Sequence, residues 1–186
     1  MTDDPAILPV PEDRGERVRL ALDAALEALR LARREAEAAG EDAARLRWAA
    51  LGLVSALQGA LVAALSGYDT ADTTAVLNPS QPDRIAPVAL LLRRARSAEL
   101  LNAPERVEIN AARQRALERL IAVRNGAVHA LATGVPETFG PDARVAAGLL
   151  RFLVLDAPAF DPRKVNLLVA GFRIELDRLE QALTSK

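Results

Sequence analysis

The chain contains no cysteine and one histidine, His129. The absence of cysteine excludes a disulfide framework, a thiolate metal site and a cysteine nucleophile. One histidine leaves too few ligands for structural zinc, which takes about four, mostly Cys and His. No cofactor motif is present, and neither a cofactor nor a metal is expected. Aromatic residues make up only 3% of the 186, against 51% for all hydrophobic types. The apolar content is therefore mostly alanine and leucine, strong helix formers, and residues that favour strands are sparse. Charge of one sign is lacking too, since 24 Lys and Arg face 25 Asp and Glu. That excludes the global basic field of a constitutive nucleic-acid binder and leaves only a local patch for contact with RNA or DNA. The first twelve residues carry Asp3, Asp4 and three prolines where a secretory signal places basic residues and then an apolar run. The cytoplasm is the expected compartment.

The length favours one domain over residues 13–186, behind a flexible lead-in over residues 1–12. Such a chain buries about two-thirds of its unfolded surface and needs no staples. Apolar spacing predicts an all-α protein, an antiparallel bundle of five or six helices. The first spans residues 13–39, with Leu22, Leu26 and Leu29 on one face and Gly40 as its stop. The second covers residues 41–67, and residues 48–68 carry no charge. About 20 uncharged apolar residues have the length of a membrane span, whereas in a soluble bundle a helix apolar on all sides is the buried centre. Gln58 at mid-span and the small residues Gly52, Ala56, Gly59 and Ala63 favour the buried helix, with no membrane involved. Trp48 reads as a core or interface anchor.

Residues 68–87, with Pro79, Pro82 and Pro87, read as the longest irregular stretch, either a lid or a disordered connection. Further helices are expected over 88–101, from 104 or 110 to 131, and over 142–155, with a loop at 133–141. Asp161 as N-cap and Pro162 at the first helical position open the last helix, which ends near 183. The other helix-to-helix loops are expected to be short.

The run Arg124-Asn125-Gly126-Ala127-Val128-His129 is where chemistry concentrates. On an ideal helix Leu117, Leu120, Ile121, Val128 and Leu131 form an apolar stripe, and Arg124 falls in its middle. A guanidinium facing a core is costly unless paired, so Arg124 either meets a carboxylate or marks where the stripe opens onto a cleft or subunit interface. Asn125 and His129 are i, i+4 neighbours on one flank. Such a trio suits phosphodiester cleavage without metal. An imidazole, with an ordinary pKa near 6.5, exchanges protons with an RNA 2′-hydroxyl or leaving oxygen. An arginine clamps the phosphate, and an asparagine orients either group. One histidine does not readily serve as both acid and base, which a dimer would solve. The bland alternatives are a satisfied histidine at a helix end, favoured there by the dipole, and a structural ion pair for Arg124. Arg93, Arg94 and Arg96 with Arg113, Arg115 and Arg119 form either a phosphate-binding surface or a solvated face balanced by Glu99, Glu105, Glu108 and Glu118.

The run LIAVRNGAVHA resembles the Arg-Asn-x-x-x-His form of the motif of HEPN domains, the higher-eukaryote and prokaryote nucleotide-binding family. The preceding RRARSAELLNAPERVEINAARQRALERL resembles uncharacterised bacterial HEPN-like proteins. The resemblance implies an antiparallel helical bundle, often a homodimer with the two motifs facing across the interface. It also implies metal-independent endoribonuclease activity, with Arg124 and His129 matching the catalytic pair and Asn125 its polar third member. The alternative is a non-catalytic HEPN-like module that binds RNA, a nucleotide or a protein partner, an antitoxin-like protein among them. The missing basic field and Gly126 lean toward the module; the retained Arg, Asn and His lean toward the enzyme.

Overall fold

A computed structural model describes residues 10–68, 72–129 and 134–184. Residues 1–9 of the expected lead-in lie outside these. Six α-helices run through the described residues: α1 (Arg14–Ala38), α2 (Leu46–Gly67), α3 (Val88–Ala95), α4 (Ala111–Val128), α5 (Phe139–Arg151) and α6 (Asn166–Thr184). The protein is thus an all-α bundle, as expected.

The uncharged segment becomes α2, and it packs against α1, α3, α4 and α5. By length and composition it could cross a membrane, yet most of its apolar window is buried within the fold. Its pairing with α1 is close. A Cβ added to Gly52 would lie 2.6 Å from the Ala28 carbonyl oxygen, and one added to Gly59 would lie 2.7 Å from that of Ala21. Backbone therefore touches backbone where the sequence supplies glycine. The order of these contacts, Gly59 on Ala21 and Gly52 on Ala28, makes α1 and α2 antiparallel. Helix α6 runs parallel to α1, since Leu26 meets Gly171 and Arg33 meets Glu175 further along both. It is antiparallel to α5, where Arg144 reaches Leu183 and Arg151 reaches Asp177.

Buried charges are matched. Glu175 accepts from Arg33 Nε at 2.5 Å with Arg30 nearby. Asp142, expected to start a helix, is instead buried inside α5, where it takes a bidentate pair of bonds from Arg119 at 2.8 and 2.5 Å. Arg17 is buried and donates to the carbonyls of Pro11 and Glu12, both at 2.7 Å, tying the entry to α1 in place.

Two connections differ from expectation. Residues 72–87 are not irregular. They hold a 3₁₀ turn (Thr73–Ala75) and an antiparallel hairpin of β1 (Leu77–Asn78) and β2 (Gln81–Ile85). Asn78 closes the turn by accepting from the Ser80 N–H, and Arg94 donates to the carbonyls of Ala75 and Leu77. Gln58, the polar residue in α2, donates to the Ala86 carbonyl at 3.0 Å. Residues 69–71 lie outside the description. Conversely, the helix expected over 88–101 ends at Ala95, where Ser97 bonds the Glu99 N–H and turns the chain. Residues 96–110 are thus a second long connection. Helix α5 continues as a single π turn, Phe152–Asp156.

Asp13, Asp42, Asp72 and Asp161 each accept a backbone N–H at the start of a helical segment. Asp72 is held below the usual carboxylate range first by the Thr74 hydroxyl, and Asp161 first by the Arg163 guanidinium. A carboxylate with a depressed folded pKa stabilises fully above its unfolded value, about 3.9. That contribution is lost as the pH falls through the lower folded value.

Two outcomes follow from these contacts. Gly52→Ala should destabilise by about 1–3 kcal/mol or more, because the methyl meets backbone. Gly148→Ala should be neutral to stabilising by up to about 1 kcal/mol, because that mid-helix glycine has nothing within 4 Å of an added Cβ. Urea unfolding measures both. The double substitution Asp72→Asn, Asp161→Asn keeps cap-competent side chains but removes their titration. Its melting temperature should fall less than that of the native chain between pH 5 and pH 2.

Candidate functional site

Helix α4 starts at Asn110, whose side chain accepts from the Arg113 N–H at 2.9 Å, settling its start in favour of 110 over 104. The following residues are mostly Ala, Arg, Gln and Leu, all good helix formers. Ala116, Leu117 and Leu120 are buried, and Ile121 and Val123 pack against the core. The stripe then emerges. Val128, expected within it, is 48% exposed, and Leu131 lies outside the described residues. The Arg119–Asp142 pair gives the reason. It sets the first turn of α5 against the middle of α4, and α5 then runs back beside the first half of α4.

Arg124, Asn125 and His129 sit on this emerging end. Arg124 is half-buried and its Nη1 donates to Asn125 Oδ1 at 2.9 Å. Its Nε is shielded from solvent without a hydrogen-bond partner, and it pairs with no carboxylate among the described residues. The ion pair that the sequence left open is therefore not the arrangement here. Asn125 and His129 are exposed. His129 is the C-cap of α4, and its backbone N–H donates to the Asn125 carbonyl at 3.0 Å. The link between these two residues is thus made by main chain, while the Asn125 carboxamide serves Arg124. Among the described residues the imidazole has no hydrogen-bond partner, and no group of three or more His, Cys, Asp or Glu gathers to hold a metal.

The arginine cluster does not act as one surface. Arg94 braces the hairpin, Arg96 donates to Gln114 Oε1 at 2.9 Å, and Arg119 is paired with Asp142. Arg93 and Arg115 are exposed. Arg113 instead lines a groove with Arg106, Arg144 and Gly148, a site that the sequence reading missed. An isolated glycine inside the helical run from 139 to 151 was the signal that could have pointed to it.

A structural arginine and a ligand-binding one respond differently to removal. Arg124→Met, which keeps the apolar stem and deletes an unpaired donor, should leave the melting temperature unchanged or raised. Arg119→Met, which orphans the buried Asp142, should lower it clearly. The chain matches no family model, no curated protein and no solved structure.

Proposed function

We propose that the end of α4 is the RNA-contacting site of a HEPN-like homodimer, a metal-independent endoribonuclease of the cytoplasm. The Arg124 guanidinium carries this reading. It is half-buried, has one neutral side-chain acceptor, and leaves Nε without any acceptor among the described residues. An unbonded buried donor costs about 1–3 kcal/mol. Arg119, one turn and a half earlier, avoids that cost with a carboxylate. A phosphate at this edge would supply Arg124 with the anion it lacks.

The chemistry then divides among three side chains. His129 takes the proton of an RNA 2′-hydroxyl, and the 2′-oxygen attacks phosphorus. The bond from phosphorus to the 5′-oxygen breaks, and that oxygen leaves with a proton. The products are a 2′,3′-cyclic phosphate and a 5′-hydroxyl. Arg124 neutralises charge developing on the phosphoryl oxygens, and Asn125 holds the guanidinium. One imidazole does not readily serve as base and acid at once, and each chain has one. Five residues of helix also turn Arg124 and His129 about 140° apart, so one chain directs them to different sides. A second copy meeting the exposed Val128 would bring one chain's arginine toward the other's histidine. An RNA-binding homodimer answers both difficulties.

One observation favours a second reading, a non-catalytic module binding RNA, a nucleotide or an antitoxin-like protein. A catalytic imidazole usually has its tautomer set by a bond at the other ring nitrogen. Here none is made among the described residues, and Asn125 is committed to Arg124.

Incubating a mixed RNA pool in EDTA with the native chain and with His129→Ala separates the two. The exposed imidazole bonds nothing in the description, so the variant should melt at the same temperature. Cleavage to cyclic-phosphate ends, lost by about 10²-fold or more in the variant, is the expected result. RNA retention by both proteins without any cleavage would instead establish the module.

A further inference from the structure

A groove of about 670 Å³ lies between the 96–110 connection, the start of α4 and the outer face of α5. That is within the range of small-molecule pockets, about 300–1,000 Å³. Arg113, on its wall, stands sixteen residues before His129, about 24 Å along the helix. The groove is thus separate from the RNA site proposed above.

Its walls are of two kinds. Val107, Ile109, Val145, Leu149 and Phe152 present an apolar surface, and Arg106, Arg113 and Arg144 stand around it with Glu108 as the one carboxylate. Glu108 is engaged by Arg106 at 3.1 Å. Arg144 donates to the uncharged Leu183 carbonyl at 3.2 Å. The Arg113 side chain has no partner among the described residues. The local charge is therefore positive, although the chain as a whole carries a formal net charge of −1.

Two features of α5 point to a ligand rather than to a packing fault. Gly148 interrupts the helix where propensity favours alanine, and an added Cβ would meet nothing within 4 Å. Close packing explains Gly52 and Gly59 but not Gly148, whose missing side chain keeps the groove open. Helix α5 then passes into a π turn at Phe152, itself a groove residue. Such turns disturb the helix ladder and often accompany functional sites.

We propose that this groove binds a small amphipathic organic anion. Its apolar body lies on Val145, Leu149 and Phe152 beside Gly148, and its carboxylate or phosphate head lies among Arg113, Arg106 and Arg144. A guanidinium forms paired bonds with either head group. Phe152 is the one aromatic on the wall, too few for the successive stacking platforms of a nucleic-acid strand.

Titration calorimetry of the full chain with octanoate and with octyl phosphate tests the proposal, with octyltrimethylammonium as the cationic control. One-to-one binding of at least one anion is expected, and the tighter of the two identifies the head group. Gly148→Leu fills the open space and Arg113→Gln removes the unpaired cation. Each should weaken binding by at least tenfold while the melting temperature holds, since neither residue packs in the core. The absence of binding by both anions, equal binding of the ammonium compound, or undiminished affinity in both variants would overturn the assignment.

Discussion

Backbone contact between α1 and α2 at Gly52 and Gly59 sets the spacing on which the other helices depend. Helix α2 carries fourteen buried residues along its length and leaves only a narrow face, with Trp48, Leu51, Ser55 and Gln58, partly open to water. Once α1 lies flush against one side, the others must be covered by apolar surface, and α3, α4 and α5 provide it. Gln58 lies on that partly open face, and its amide is engaged by the Ala86 carbonyl at the edge where the hairpin meets α2. A bulkier residue at position 52 or 59 would push α1 outward and loosen that whole arrangement.

Charged groups are handled consistently around this centre. Asp142, Glu175 and Arg17 are buried, and each has hydrogen-bonding partners that offset its desolvation. Arg124 breaks the pattern with its shielded, unpaired Nε. Departures from consistency of this kind tend to mark places where a protein trades stability for function. The same logic applies to Gly148, where a helix gives up propensity without gaining a contact.

Both departures lie on or beside α4. Because Asp142 binds Arg119, the first turn of α5 lies against the middle of α4. The first half of α4 forms a wall of a lined groove, while the second ends in an open turn carrying Arg124, Val128 and His129. A concave, mixed apolar and cationic site suits a small ligand. The exposed helix end, with an apolar residue among polar ones, is where RNA and a second copy of the chain are proposed to meet it.

The helical class, the buried character of α2, the cap at Asp161, which opens the 3₁₀ turn Pro162–Val165 ahead of α6, and the glycines that admit close packing were all legible in the chain, because propensity, periodicity and capping act over a few residues. The motif at Arg124, Asn125 and His129 was legible as a spacing on one helix, and so was its position near that helix's end. The hairpin was not, because Arg94 and Gln58 hold it from other elements. Nor could the sequence show that Asp142 pairs with Arg119 instead of capping a helix, a choice made only when α5 docks on α4. The assembly of the arginine-lined groove follows from that docking. Local sequence thus determined which segments coil and which faces are apolar, whereas tertiary packing decided which charges found partners and which stayed open, because burial and pairing depend on residues distant in the chain.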